Sequence, residues 1–280
     1  MSQTIERVDR PSPEIFKRHF LSQNKPVIIT GVADEWKARQ LWTPEYFKTS
    51  FGSAPVKFEI WESEEKTNDP ADYLSKVRKQ KGNLASFIEL TLATKEPSRK
   101  HYLAQYPVFR LLPQLRADIP SLEPYMMIPR YYPRSLQLKL QKEPMLWVGP
   151  AGVISTLHFD SSHNFFVQLY GRKRFILLSP KDSHRTYYPC YSLDYLNFSP
   201  VDVERPNLER FPLFREATPI EFTVAPGEIL FIPVRWWHYV RSLETSISLS
   251  FWWNSPSTYM KIATHLYKHY RRKLLKKLPR

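Results

Sequence analysis

The succession of short β-rich runs beyond Met145 constrains this chain more than any other feature. Residues 164–170, 172–178, 220–224, 228–232, 238–243 and 246–252 each carry the β-branched and aromatic residues of a single strand. Gly171 and the stretch Ala225-Pro226-Gly227-Glu228 separate them with turn chemistry. Many short strands joined by turns bury their apolar faces only by stacking in two layers. The expected fold is therefore mainly β, a sandwich or jelly roll. The 280-residue length is enough for one substantial core with extensions.

Ahead of this block, residues 1–140 alternate helical and extended signals and read as an extension packed on the core. Ser12 is placed to cap a helix from Pro13 to about Leu21, and Thr43-Pro44-Glu45 starts another. Residues 26–30 read as a buried strand ended by Gly31, and 56–61 as an alternating strand. The pattern over 74–93 predicts a helix interrupted near Gly82. After residue 255, Ile262, Leu266, Tyr270, Leu274 and Leu278 recur every four residues, so 256–280 reads as an amphipathic helix. That gives three segments, 1–140, 141–255 and 256–280, within one structural domain.

The chemistry centres on His158-Phe159-Asp160. On a strand, positions i and i+2 share a face, so His158 and Asp160 project together. His238 follows Pro233-Val234-Arg235-Trp236-Trp237 at the start of a late strand. Two histidines and one carboxylate on facing strands would cap one side of an octahedral metal and leave positions open, the facial triad of non-haem Fe(II) oxygenases. A chain with eight histidines also holds chance H-x-D triplets, so spacing alone leaves core or surface histidines open. Lys173 shares an alternation with Phe175 and Leu177. On an otherwise apolar inward face its ammonium needs an anion, whereas on the surface it needs none. Ser246, Ser248 and Ser250 alternate with Ile247, Leu249 and Phe251, either as hydroxyls lining a ligand pocket or as a solvated face.

Taken together, Leu146-Trp147-Val148-Gly149-Pro150, His158-Phe159-Asp160, Asn164-Phe165-Phe166-Val167-Gln168, Gly171-Arg172-Lys173, Phe231-Ile232-Pro233, Trp237-His238 and Ser250-Phe251-Trp252-Trp253 resemble the JmjC hydroxylases, including those of the factor-inhibiting-HIF type. The JmjC protein-arginine hydroxylase subgroup, once described as histone lysine demethylases, is similar through Tyr102-Leu103-Ala104-Gln105, 227–233 and His238-Tyr239-Val240-Arg241. The resemblance implies a double-stranded β-helix (cupin) core at 141–255, with Fe(II) on His158, Asp160 and His238 and 2-oxoglutarate as co-substrate. It implies that Lys173 pairs with the distal carboxylate, helped by Tyr102 and Ser155, with Asn164 and Ser250 also lining the site. Ser155 lies three residues before His158, so strict alternation turns it away; it joins the pocket only if the chain bulges, and otherwise Thr156 takes its place.

For substrate, the resemblance implies side-chain hydroxylation of a protein or peptide, arginine favoured. A guanidinium calls for a carboxylate and flat aromatic walls, which Glu59, Trp147 and Trp252 would supply. Both tryptophans read equally as core, and Glu59 as a surface strand residue. A tRNA-base hydroxylase and a lysine N-demethylase are the alternatives within the family, and a non-catalytic metal-binding cupin lies outside it.

More than half of the net charge of +14 sits on Lys261, Lys268, Arg271, Arg272, Lys273, Lys276, Lys277 and Arg280, with no acid after residue 255. Such a tail offers a face to RNA or another acidic partner, or is simply the solvated side of a helix. Its apolar stripe suits a homodimer contact. No apolar run is long enough to span a membrane, the first ten residues lack a signal-peptide pattern, and Cys190 is the single cysteine. The expectation is a cytoplasmic protein without an intrachain disulfide.

Overall fold

The computed structural model describes residues 4–61, 77–93, 99–126, 128, 131–188 and 197–254. The basic tail at 256–280 and Cys190 lie outside the described residues, as does the first part of the helix expected at 74–93. The strands are β1 (Arg7–Asp9), β2 (Val27–Thr30), β3 (Pro55–Trp61), β4 (Arg78–Asn83), β5 (Lys100–Tyr106), β6 (Met145–Gly149), β7 (Ile154–Phe159) and β8 (His163–Tyr170). They continue with β9 (Lys173–Leu178), β10 (Ile220–Val224), β11 (Ile229–Ile232), β12 (Trp237–Ser242) and β13 (Ser246–Trp253). Two sheets result. The larger has nine strands in the order β1-β2-β11-β8-β13-β6-β5-β3-β4, and the smaller has four in the order β10-β9-β12-β7. Apart from the parallel pair β1–β2, neighbouring strands run antiparallel. The jelly-roll expectation from the short strands holds, and every β-rich run beyond residue 160 is a strand to within a residue or two.

Alternation along β8, β11 and β13 sorts their side chains to two destinations. Phe166, Leu230 and Ile232 meet Phe175, Leu177 and Phe222 of the smaller sheet and form the layer between the sheets. Phe165, Val167, Phe231, Ile247, Leu249 and Trp253 face outward, under a cover from the first third of the chain that includes Phe16, Trp36, Trp42, Phe47 and Phe87. Phe165 stacks on Trp253 with centroids 4.5 Å apart. Each buried ring of this size contributes about 1.5–3 kcal/mol. A third cluster, with Leu157, Phe159, Trp237, Val201 and Phe214, covers the outside of the smaller sheet.

The helical signals held at their starts. Helix α1 (Pro13–Phe16) is capped by Ser12, whose hydroxyl accepts from the Ile15 amide, but from Lys17 to Leu21 the turn widens to a π-helix. After α2 (Lys37–Leu41), α3 (Pro44–Phe51) is capped by the Thr43 hydroxyl. The helix expected over 74–93 is corrected. Residues 78–83 form β4, and α4 (Leu84–Ala93) begins only where the Asn83 side chain accepts from the Ser86 amide. The reason lies in β3, whose ladder β4 extends from Pro55↔Asn83 to Ile60↔Arg78. No described helix is long and apolar enough to cross a membrane.

Candidate metal and co-substrate site

His158 lies near the end of β7, an edge strand of the smaller sheet, opposite His238 at the start of β12. The loop at 197–199 holds the other side of β7: the Phe159 amide donates to the Asn197 carbonyl, the Ser199 amide to the Leu157 carbonyl, and the Phe198 ring stacks on the His158 imidazole at 5.3 Å. Asp160 follows the strand directly, its carbonyl accepting from the Arg235 amide. Arg235 has φ 67°, and this left-handed residue makes the tight turn that delivers Trp237 and His238 to the sheet.

One ligand atom from each of His158, Asp160 and His238 lies within 4.8 Å of the others. Both imidazoles are oriented from behind. A carbonyl can only accept, so His158 Nδ1 donates to Thr156 O at 2.7 Å and His238 Nδ1 to Trp236 O at 3.1 Å. Each ring therefore turns a bare Nε2 toward the other ligands, as metal-bound histidines require. Burial, reinforced by the neighbouring His158, pushes His238 well below the ordinary imidazole range. The 3.8 Å approach of His238 Nε2 to Asp160 Oδ2 is thus not that of an ion pair. Trp252 Nε1 donates to Asp160 Oδ2 at 2.8 Å, fixing the carboxylate. No local pattern marks this partner, 92 residues away.

Lys173 is inward, on the face it shares with Phe175 and Leu177. It is 2% exposed, its Nζ lies 5.5 Å from the Phe166 ring and 5.8 Å from the Tyr102 ring, and burial pushes its pKa down to about 7. Among the described residues no carboxylate pairs with it. The serine stripe is also inward: Ser246, Ser248 and Ser250 are buried, while Ile247 and Leu249 pack in the outer cluster. Asn164 Oδ1, Thr156 Oγ1 and Ser248 Oγ are buried without hydrogen-bond partners. Such groups are costly unless a ligand or water meets them.

The chain bulges between Ser155 and His158. His238 pairs with His158, yet Val240 pairs with Ser155, so Thr156 and Leu157 together face Tyr239. Leu157 packs outward in the third cluster, and Ser155 is brought to the Tyr102 phenol, with which it hydrogen-bonds. Tyr102 is buried, which raises its pKa. Its ring leaves no space at Gly149, where a Cβ would lie 2.6 Å from Tyr102 Cδ2.

Trp147 is half-buried, donates from Nε1 to Ser250 Oγ at 3.1 Å, and stands 5.9 Å from the Tyr102 ring and 6.2 Å from that of Trp252. Tyr102, Trp147 and Trp252 therefore form a chain of rings ending at Asp160. Glu59 is the register partner of Tyr102 on the adjacent strand β3. Burial raises its pKa, against the pull of the Lys79 ammonium and the Trp61 indole. The eleven residues expected to form the site thus fall in one connected region, and Trp252, expected only as an aromatic wall, also bonds to Asp160 of the candidate metal cluster.

A family described as the cupin-like domain matches residues 12–259. The chain is 34% identical over 250 residues to lysine-specific demethylase 8 of Xenopus tropicalis, covering 89% of this chain and 53% of that protein. Jumonji C domain-containing protein 5 of Drosophila melanogaster is 32% identical over 255 residues, with 89% of this chain and 59% of that protein covered. The bifunctional peptidase and (3S)-lysyl hydroxylase JMJD7 of Homo sapiens is 24% identical over 267 residues, at 87% and 82% coverage. The chain spans little more than half the length of the first two of these relatives.

Proposed function

The chain belongs to the cupin-like family of JmjC proteins, and from that membership we propose an Fe(II)- and 2-oxoglutarate-dependent oxygenase that hydroxylates a side chain of a protein or peptide, arginine by preference. The observation that carries this reading is the pairing of two features on one inner surface: a two-histidine, one-carboxylate cluster and a fully buried lysine that meets no carboxylate among the described residues. A structural zinc site would not need the lysine, and a lysine kept for stability would not be left without an anion.

The residues present fit both groups. His158, Asp160 and His238 would hold Fe(II) from one side, leaving the remaining positions to oxygen and co-substrate. Lys173 would take the distal carboxylate of 2-oxoglutarate, with the Tyr102 and Ser155 hydroxyls beside it. Asn164 and Ser248 have free buried polar atoms to offer the rest of the molecule. When bound, iron and 2-oxoglutarate supply the two-electron oxidation of a C–H bond by oxygen, with succinate and carbon dioxide as the other products. The chain's own part is to bind, orient and exclude water. Trp252 holds Asp160 in one rotamer, and the buried serine face keeps the co-substrate apart from the apolar layer.

The arginine preference is supported by Glu59. A half-buried carboxylate whose pKa burial has raised gains from an arriving guanidinium, and Trp147 and Trp252 give flat walls between it and the metal ligands. A second reading, removal of an N-methyl group from lysine, is favoured by the name of the Xenopus relative and would use the same machinery. Incubating the chain with Fe(II), 2-oxoglutarate and peptides containing Arg, Lys, methyl-Lys or Asn distinguishes them. Mass spectrometry should find Arg peptides heavier by one oxygen, and Glu59→Ala should suppress that product. Formaldehyde release from methyl-Lys alone would move the assignment to demethylation, and Arg oxidation indifferent to Glu59 would remove Glu59 from the site.

A further inference from the structure

The hairpin of β3 and β4 carries a charge arrangement that neither the metal site nor the fold requires. Strand β4 closes one edge of the nine-stranded sheet, and all six of its residues are exposed. Its register sets Lys81 directly opposite Lys57 and Lys79 opposite Glu59. Direct partners on antiparallel strands share a face, and Glu59 is in turn opposite Tyr102. Lys57, Lys79 and Lys81 therefore project from the same side of the sheet as Glu59 and Tyr102. On the other side Val56, Phe58 and Ile60 are buried in the outer cluster with Phe87 and Ile88 of α4.

Like charges placed directly opposite destabilise a strand pair. Lys79 has Glu59 to answer it, whereas Lys57 and Lys81 form ion pairs with no carboxylate among the described residues. Two opposed ammoniums one same-face step along β3 from Glu59, which itself neighbours Tyr102 and through it the rings of Trp147 and Trp252 beside Asp160, suit an anion arriving with the substrate.

Building on the hydroxylase reading, we propose that Lys57 and Lys81 dock an acidic residue of the substrate, two positions from the side chain that pairs with Glu59. The spacing gives the position. Lys57 and Glu59 are two residues apart on one strand, about 6.6 Å, which is also the separation of same-side residues in an extended peptide. A protein segment fits this surface better than a nucleic acid does. The Glu59 carboxylate lies two residues along the same face and would repel phosphates, and β4, reading Arg-Lys-Gln-Lys-Gly-Asn, has no ring on which a base could stack.

The test uses the full chain and short extended peptides with one central Arg, carrying Glu, Gln or Lys at both positions two residues away. Fluorescence anisotropy reads binding, and mass spectrometry reads the oxidised product. The Glu peptide should bind roughly five- to tenfold tighter than the Gln peptide at low salt, with the gap shrinking as salt rises. In Lys57→Gln/Lys81→Gln the gap should fall to within about twofold, and Lys57→Glu/Lys81→Glu should prefer the Lys peptide. An undiminished preference in the Gln variant would overturn the proposal. So would a Gln variant that only self-associates, since the lysines would then serve to keep the β4 edge from pairing with a second copy. Displacement by single-stranded RNA, with no preference among the peptides, would overturn it too. Binding that follows the lysines with no oxidised product from any peptide would sink the hydroxylase reading alone, and equal oxidation of all three peptides would sink the docking alone.

Discussion

Lys173 and the lysines of the β3–β4 hairpin are the same functional group in two settings, and the contrast shows what burial does to a charge. Lys173 is 2% exposed and its pKa is drawn down to about 7. Only an anion held in place offsets the desolvation of such an ammonium. Lys57 and Lys81 stand in water, where each ion pair contributes about 0.2–1 kcal/mol and is screened by salt. On the proposed reading, the buried lysine specifies one ligand at one position, whereas the exposed ones bias which segment arrives. Charge alone says little about a site until its solvation is known.

The strongest break of this comparison comes at the metal end. His158→Ala or Asp160→Ala should abolish Fe(II) binding and succinate formation while circular dichroism stays unchanged; near-full turnover in either would dissociate the cluster from the chemistry. Next, Lys173→Ala should weaken 2-oxoglutarate by about a hundredfold or more, since removing one partner of a buried pair costs about 3–5 kcal/mol. Isothermal titration should find Fe(II) affinity unchanged in that variant. If 2-oxoglutarate binding fell no more than peptide binding falls in the hairpin variants, the distinction between the two kinds of lysine would fail. The same residue predicts a pH dependence. Its folded pKa lies below the value of about 10.4 in an unfolded chain, so the unfolded state binds more protons between pH 7 and about 10. The ligand-free protein should gain stability from this group as pH rises through that window. Binding 2-oxoglutarate restores the charge, so calorimetry at pH 8 in buffers of different ionisation enthalpy should detect proton uptake that Lys173→Ala lacks. Trp252→Phe keeps the ring and loses the donor to Asp160, and should lower metal affinity about 10- to 100-fold. The smallest effect belongs to Asn83→Ala, which removes the cap of α4 at about 1 kcal/mol, read as a lower thermal midpoint with succinate formation unaltered.

What the sequence disclosed follows from how locally each feature is determined. The strands of the two-sheet core announce themselves because one or both faces are buried, and Lys173 stands out because an apolar alternation surrounds it. Strand β4 does not, since a polar edge strand exposed along its whole length carries no alternation; its identity comes from the ladder with β3, and nothing local separates it from the helical pattern of 84–93. Ser155 and Thr156 could not be separated from sequence because the extra residue is defined by the partner strand. The Trp252–Asp160 bond joins residues 92 apart, beyond the reach of any local pattern.

The bulge in β7 has a hereditary consequence. Thr156 is the supernumerary residue there, with Leu157 already opposite Tyr239 and the Thr156 hydroxyl bonded to nothing. Losing that one codon would leave Ser155 and His158 two residues apart, on the same face by plain alternation, and the ladder with β12 would run without interruption. Loss of Phe159 instead would turn Asp160 to the opposite side of the strand and end the metal cluster. A lineage carrying this gene can thus shorten by one residue at Thr156, provided that the Ser155 carbonyl, then two residues before His158, takes over the bond that Thr156 O now makes to Nδ1, and not three codons further on.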